Sequence, residues 1–222
     1  MKKLICFSLW GNDERYTLGA IRNAELAGEI YKDWTCKYYI GKNVPEKIIE
    51  KLLSFQNVII KRIDNDGGWN KGTLWRFRDI SNKDIDIMIS RDVDSRLTVR
   101  EKMAVDEWIK SDKGFHIMRD HPQHNTHILA GMFGCKRNII TNIDELIEKY
   151  QHTTNKQNDQ EFLSKIVYSL IKDNVFTHDE FFEKKQFPAK RDEKHFVGQA
   201  YDGNDKILDA PEYFFDYLRE KK

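Results

Sequence analysis

The sequence predicts an α/β fold with a mostly parallel central sheet flanked by helices. Compact apolar runs alternate with helical patterns through the first 90 residues, and this alternation is typical of parallel sheets covered by helices on both faces. No linker, internal repeat or low-complexity segment divides the 222 residues. A chain of this length buries roughly 70% of its unfolded surface, which suffices for one full core. We therefore predict a single domain.

The N-terminal elements are predicted from apolar runs, from apolar residues at helical spacing and from turn residues. Trp10-Gly11 ends the first apolar run, and Gly41 ends the second. Pro45 is expected in a first helical turn, where its missing N–H costs nothing. In chain order we predict a strand over 4–9, a helix with Ala20, Ala24, Ala27 and Tyr31 on one face, a strand over 36–40, a helix with Val44, Ile48, Leu52 and Phe55, a strand over 58–60, a polar loop over 64–72, a short helix around 73–80 and a strand over 85–89.

The pattern changes after Asp94, where helices and strands no longer alternate strictly. Four histidines fall between residues 116 and 127, and the segment from Phe187 onward is rich in aromatic residues without clear periodicity. In chain order we predict a helix over 98–110, a strand over 115–118, a histidine-rich loop over 121–127, a strand over 131–135, a helix over 143–150 and a helix carrying Leu163, Ile166, Val167 and Leu170.

Composition argues against several classes of protein. The formal net charge of +1 disfavours a dedicated nucleic-acid binder. No apolar run approaches the roughly 20 residues that cross a bilayer, so no transmembrane segment is expected. The apolar run at the N-terminus is too short for a signal peptide, and a buried strand is the better interpretation. Three cysteines lie far apart without a CxxC pair, so reduced thiols in a cytoplasmic protein are expected.

The sharpest local feature is the segment Ser90-Arg91-Asp92-Val93-Asp94-Ser95-Arg96, which directly follows an apolar strand. Residues i and i+2 of extended backbone point to the same side, so Asp92 and Asp94 can share one target. The carboxyl ends of strands are where open α/β sheets bind ligands. Two neighbouring carboxylates suit a hard cation such as Mg²⁺ or Mn²⁺. Alternatively, both are solvated turn residues ahead of the helix that begins near Thr98.

This strand followed by Asp-x-Asp resembles the GT-A fold of nucleotide-sugar glycosyltransferases. The longer stretch over 90–134 is similar to glycosyltransferase domains from bacterial polysaccharide loci and from algal giant viruses. Late in the chain, His195-Phe196-Val197-Gly198 resembles a His-x-x-Gly motif whose histidine completes the metal site in retaining galactosyltransferases. Those enzymes have a lysine after the motif, whereas Gln199-Ala200-Tyr201 follow it here, and this difference weakens the expectation that His195 is a metal ligand. Three further segments support the resemblance in order: Leu74-Trp75-Arg76-Phe77, Ile128-Leu129-Ala130-Gly131-Met132 and Asn158-Asp159-Gln160-Glu161.

The resemblance implies one glycosyltransferase domain over 1–222, with a nucleotide-sugar-binding half over 1–97 and an acceptor-binding half over 98–222. It implies Mn²⁺ or Mg²⁺, a UDP-sugar as donor, and transfer of a hexose or deoxyhexose to a carbohydrate acceptor. Asp159 is the first candidate for the acceptor chemistry, and Asp120 is the rival general base. The expected metal ligands are Asp92, Asp94 and His195, and the expected donor-binding residues are Ser8, Trp10, Arg76, Arg91, Asp92 and Arg119.

Other interpretations of the same residues stay open. Arg76 could extend from a surface helix, Arg91 could only neutralise the carboxylates, and Asp159 could be a helix cap. The four histidines over 116–127 match no closed zinc site, so zinc is not expected. A nucleotidyltransferase could use the same carboxylate pair. A non-catalytic carbohydrate-binding module on the same fold would bind glycans without regard to metal or to Asp92.

Overall fold

A computed structural model describes residues 1–68, 71–150, 157–191 and 195–208. Its β-strands are β1 Lys3–Leu9, β2 Thr35–Gly41, β3 Val58–Ile63, β4 Ile87–Ser90, β5 Phe115–Arg119, β6 Phe133–Lys136 and β7 Val175–Asp179. Its α-helices are α1 Glu14–Ile30, α2 Glu46–Leu53, α3 Val99–Lys110, α4 Ile143–Lys149, α5 Asn158–Phe162 and α6 Tyr168–Ile171. A 3₁₀ helix spans Gly72–Ser81, and one π-helical turn, Leu163–Val167, joins α5 to α6.

The strands form one seven-stranded sheet in the order β3-β2-β1-β4-β6-β5-β7. The strands β3, β2, β1 and β4 run parallel to one another, and β7 is parallel to β5. The strand β6 runs antiparallel to both β4 and β5. The predicted mostly parallel α/β sheet is therefore confirmed, with one antiparallel strand inserted beside β4.

Two hydrophobic layers cover the two faces of the sheet. Alternate residues of β1 enter opposite layers, because successive side chains of a strand point to opposite faces. Ile5 and Phe7 pack with the helices α1 and α2, whereas Leu4 and Cys6 pack with the 3₁₀ helix and the helices after β6. None of the described helices is long and apolar enough to cross a membrane.

Most predicted elements are found within a few residues of their expected bounds, and the differences have local causes. Pro45 is the N-cap of α2 rather than a residue of its first turn. Residues 131 and 132 precede β6 because Met132 closes a turn by donating its N–H to the carbonyl of Leu129. The strand β7 lies outside the predicted elements, and it forms as an edge strand along β5. The helix expected around Leu163 begins earlier, at Asn158.

Candidate active site

A cavity of about 330 Å³ opens where β1 and β4 lie side by side. These two strands mark the switch point of the sheet, where the strand order reverses. From β1 the chain continues to β2 and β3 on one side, and β4 then lies on the opposite side of β1. Open α/β sheets bind ligands at the carboxyl ends of the strands beside such a point. Ser8 and Trp10 reach the cavity from the end of β1, and Asp92 and Asp94 reach it from the segment after β4.

Asp92 and Asp94 both line this cavity, but they do so from a turn rather than from extended backbone. The N–H of Ser95 donates to the carbonyl of Asp92 at 3.3 Å, and the hydroxyl of Ser95 donates to the same carbonyl at 2.9 Å. The turn brings the two carboxylates together without a strand's alternation. Asp92 and Asp94 therefore line one cavity as expected, but the extended backbone on which that expectation rested is not present.

The carboxylate of Asp92 fits against a glycine. A Cβ atom built on Gly131 would lie 2.0 Å from Oδ2 of Asp92, well inside the distance that real Cβ contacts adopt. The side chain of Asp92 is 46% exposed, so this carboxylate faces the opening of the cavity. The absence of a side chain at Gly131 therefore makes the space that Asp92 occupies.

Arg76 joins the two sides of the cavity. Its guanidinium donates to Asp92 and, at 3.2 Å, to Asp159, and it also donates to the carbonyl of Arg91 at 3.0 Å. Its backbone N–H donates to the hydroxyl of Ser8 at 3.1 Å, which ties the 3₁₀ helix to β1. Burial works to lower the pKa of Arg76, but Asp92 and Asp159 outweigh it and hold the guanidinium charged.

Arg15 pairs with the second carboxylate of the Asp-x-Asp segment. Its Nε and Nη2 atoms donate to one oxygen of Asp94 at 2.9 and 2.5 Å. Burial raises the pKa of Asp94, the charge of Asp92 raises it further, and Arg15 lowers it. Asp94 is therefore a desolvated carboxylate whose charge one arginine does not fully offset.

The charges around the cavity suit an additional cation. Among the described lining residues, the three carboxylates of Asp92, Asp94 and Asp159 face two guanidinium groups, from Arg15 and Arg76. Mg²⁺ is commonly bound through one or two carboxylates together with substrate phosphates and water. The residues present fit a hard divalent cation of that kind, with Asp92 and Asp94 as its protein ligands.

Asp159 lies in the first turn of α5 and lines the cavity opposite β1. One carboxylate oxygen accepts the N–H of Gln160 at 2.9 Å, and the other accepts from Arg76. Burial raises the pKa of Asp159, Arg76 lowers it, and the charge of Asp92 raises it. The carboxylate of Asp159 thus accepts a backbone N–H in the first turn of α5. It also lines the cavity, where its raised pKa makes it a stronger base.

Trp10 is held against the edge of the cavity by glycines. Cβ atoms on Gly67 and Gly72 would lie 2.4 and 2.7 Å from its indole ring, and Gly67 has a positive φ of 83°. The ring of Trp75 meets that of Trp10 edge-on, with 6.2 Å between their centroids. Trp10 is therefore positioned by its surroundings beside the opening that a planar ligand would use.

Two arginines expected at the donor lie elsewhere. Arg91 is fully buried, where its Nε pairs with Glu101 at 2.7 Å and its Nη1 donates to the carbonyls of Ser90 and Phe133. Arg119 pairs with Asp179 at 2.9 Å at the end of β7. Because both guanidinium groups are held by these partners away from the cavity lining, the expectation that they bind the donor is wrong for this structure.

Asp120, the rival general base, also lies outside the cavity lining. Its carboxylate is completely buried and accepts from Arg100 and Arg191 and, at 3.0 Å, from the backbone N–H of Val197. A carboxylate compensated by two guanidinium groups and sealed from the cavity cannot meet an acceptor hydroxyl. Asp120 instead ties the segment after β5 to the segment around Val197, and we withdraw it as a base.

His195 is not among the described residues that line the cavity. Within the described chain, no three His, Cys, Asp or Glu side chains are grouped so that they could hold one metal ion. The described structure therefore does not group His195 with Asp92 and Asp94, and a metal site on the two aspartates stays a prediction. The glycine of the same motif, Gly198, does line the cavity.

Several cavity residues were not anticipated from the sequence. Arg15 and Tyr16 come from the first turn of α1, which starts close to the carboxyl end of β1. Because open α/β sheets bind ligands at the carboxyl ends of their strands, residues just after β1 could have been predicted as cavity residues from the sequence. His124 lines the cavity from the loop between β5 and β6, a placement with no comparable signature in the sequence, and Gln160 lines it from α5, next to Asp159.

Comparisons with known proteins agree with this fold. No protein-family model and no curated protein sequence matches the chain. A glycosyltransferase involved in the glycosylation of the major capsid of PBCV-1 matches with a TM-score of 0.54 and 11% identity, over 84% of this chain and 91% of that chain. A protein from Bacillus anthracis described as a glucose-1-phosphate thymidylyltransferase, in complex with a sucrose, matches with a TM-score of 0.53 and 13% identity, over 81% and 86%.

A fragment of S. aureus TarS in complex with UDP matches with a TM-score of 0.53 and 11% identity, over 81% of this chain and 58% of that chain. At such identities the likeness establishes the fold alone. The chain thus has a GT-A-like α/β fold, one that glycosyltransferases and nucleotidyltransferases share.

Proposed function

We propose that the protein is a metal-dependent glycosyltransferase that moves a sugar from a UDP-sugar donor to a carbohydrate acceptor. One observation carries the proposal: the guanidinium of Arg76 joins Asp92, on the predicted metal side, to Asp159, on the predicted acceptor side, within one cavity. The cavity also lies at the switch point of a fold that nucleotide-sugar enzymes share. The finding that a structural neighbour binds UDP is consistent with this donor.

The nucleotide is assigned to the end of the cavity formed by β1 and α1. Trp10 offers an aromatic face for a base, and Ser8 and Tyr16 offer hydroxyl groups. The Nε atom of Arg76 is buried, without a hydrogen-bond partner in the described chain. Buried polar groups are nearly always hydrogen-bonded, so an unmatched donor at a cavity indicates a ligand oxygen or an ordered water. A phosphate oxygen of the donor would meet this need, since guanidinium suits phosphate.

Asp92 and Asp94 would hold Mn²⁺ or Mg²⁺ against the diphosphate. A bound divalent cation supplies Lewis-acid stabilisation of the charge that develops on the leaving diphosphate. The two aspartates contribute hard oxygen ligands, while Arg15 and Arg76 orient their carboxylates through the ion pairs already present.

Asp159 is the group that accepts the acceptor's proton. As the acceptor oxygen bonds to the anomeric carbon, the bond from that carbon to the diphosphate oxygen breaks and UDP leaves with the electron pair. The acceptor's proton passes to the Asp159 carboxylate, whose burial raises its pKa and so its strength as a base. If the enzyme instead retains configuration, the same carboxylate orients the acceptor and stabilises positive charge at the anomeric carbon.

The test is a titration of the protein with UDP, with and without Mn²⁺, in which thermal shift measures stability and calorimetry measures binding. Saturation at a hundredfold excess over Kd should stabilise the native protein by about 2.7 kcal/mol, because the ligand binds only the folded state. Asp92→Asn should abolish the Mn²⁺-dependent part of the binding. Asp144→Asn is the matched control, because Asp144 is 51% exposed, compared with 46% for Asp92, and also pairs with an arginine, but outside the cavity. Equal metal dependence in wild type and Asp92→Asn would contradict the assignment.

A nucleotidyltransferase is the second candidate, and the similarity to a thymidylyltransferase and to 4-diphosphocytidyl-2C-methyl-D-erythritol synthase favours it. Such an enzyme would release pyrophosphate from a nucleoside triphosphate. A glycosyltransferase would instead release UDP from a UDP-sugar. Incubation of the protein and Mn²⁺ with UTP plus a sugar phosphate, and separately with UDP-sugars, distinguishes the two by their products.

A further inference from the structure

A histidine that lines the cavity is held in one orientation. His124 lies in the loop between β5 and β6 and lines the cavity. Its Nδ1 atom accepts the backbone N–H of Asp120 at 3.1 Å. The rings of His121 and Phe196 pack around it, with centroid distances of 5.5 and 5.6 Å. Asp120 is itself fixed by its buried ion pairs, so the imidazole is anchored to a rigid element.

This hydrogen bond determines which nitrogen carries the proton. Because Nδ1 accepts, the neutral ring carries its hydrogen on Nε2, which is then a donor. Within the described residues, Nε2 of His124 has no hydrogen-bond partner. This atom is not fully buried. Burial, followed by the charges of His121 and Arg191, lowers the pKa of His124 to about 3. The ring is therefore a neutral donor across the physiological pH range.

The surroundings of His124 do not suit a negatively charged ligand group. Leu129, Ala130, Met132 and Gly198 line the same cavity without formal charge. The carboxylates of Asp92 and Asp159 share the cavity, and the guanidinium of Arg76 is already engaged by both. The two guanidinium groups among the described lining residues, from Arg15 and Arg76, are already paired with carboxylates of the cavity, so a carboxylate on the sugar would meet like charges without an uncompensated cation there.

We propose that His124 donates its Nε2–H to an oxygen of the transferred sugar, and that the cavity selects uncharged hexoses over hexuronates. The inference rests on the proposed function and adds to it the class of sugar and a residue that determines specificity. A neutral imidazole recognises a hydroxyl or ring oxygen, whereas selection of a hexuronate would need a cation at the same place.

The experiment measures binding of UDP, UDP-glucose and UDP-glucuronate by calorimetry in the presence of Mn²⁺. Wild type should bind UDP-glucose at least tenfold more tightly than UDP-glucuronate. His124→Phe keeps an aromatic ring but removes the donor, and should weaken UDP-glucose about fivefold to tenfold while leaving UDP unchanged, as the loss of one hydrogen bond predicts. His124→Gln, which retains an N–H donor, should recover part of this affinity. His124→Arg should narrow the gap between the two sugars.

His127→Phe is the matched control, because His127 belongs to the same loop but is exposed and stacks on Tyr168 at 4.1 Å, outside the cavity lining. It should leave all three affinities unchanged. Equal wild-type affinity for UDP-glucose and UDP-glucuronate would overturn the selection, and equal losses for UDP and UDP-glucose in a folded His124→Phe would overturn the sugar contact. If wild type fails to bind UDP at all, the proposed function itself is wrong and the inference falls with it.

Discussion

Replacing Gly131 by alanine tests whether the position of Asp92 is what makes the cavity functional. The new Cβ would lie 2.0 Å from Oδ2 and 2.5 Å from Cγ of Asp92, whereas carbon atoms normally approach other heavy atoms only to about 3.5 Å. The carboxylate must therefore move by more than about 1 Å. Gly131 is not among the glycines with positive φ, so the backbone itself accepts alanine.

The expected effect on Gly131→Ala is small for stability and large for binding. Because the side chain of Asp92 is half exposed, its carboxylate can swing outward, so the loss of stability should stay below the about 1–3 kcal/mol that overpacking costs in a closed core. A displacement of about 1 Å in a site can reduce activity about 100-fold, and we expect a loss of that order in Mn²⁺-dependent UDP affinity. Thermal denaturation and calorimetry measure the two quantities on the same sample.

Gly28→Ala is the control for the generic effect of removing a glycine. Gly28 lies on the exposed side of α1, and its Cβ would meet only the side-chain amide of Asn57, at 3.9 Å. Alanine there should be neutral or stabilising by roughly 0.5–1 kcal/mol, because glycine weakens helix interiors. If Gly131→Ala binds UDP and Mn²⁺ as wild type does, the steric argument for Asp92 is refuted.

Three further predictions concern charged and titrating groups. Asp159→Asn should retain UDP binding but lose turnover about 100-fold or more, and normal turnover with a genuine acceptor would reduce Asp159 to a helix cap. Since Arg76 lowers the pKa of Asp159 against its burial, Arg76→Met should move the acidic limb of kcat to higher pH, because the base is protonated sooner as the pH falls; an unmoved limb would contradict this. Burial, His178 and Arg91 lower the pKa of His116 well below 6.5, so the native state binds fewer protons than the unfolded state and stability should fall as the pH drops below about 6.5, by up to about 2 kcal/mol at pH 5. His116→Phe should flatten that part of the stability curve measured by urea denaturation, and an unchanged slope would show that the group is not responsible.

Features that depend on local pattern could be read from the amino-acid sequence alone. The strands β1, β2 and β4 were predicted because apolar runs of strand length ended at turn residues. The position of Asp92 and Asp94 followed from their place directly after β4, whereas Arg76 was expected at the donor because Leu74-Trp75-Arg76-Phe77 resembles a segment of nucleotide-sugar glycosyltransferases. Strand ends and helix turns are set by neighbours in the chain, so such placements can be read without knowing the distant contacts.

Contacts between distant elements determine which polar residues face the cavity and which are buried, and the sequence does not reveal those contacts. The sequence left both Arg76 and Arg91 as candidates for donor binding. In the structure Glu101 of α3 pairs with Arg91 in the core, whereas Arg76 lines the cavity. Arg15 and Asp94 are paired although 79 residues separate them. Such partners are chosen by packing between distant elements, because a buried charge is stable only where another element supplies its counter-charge and hydrogen bonds.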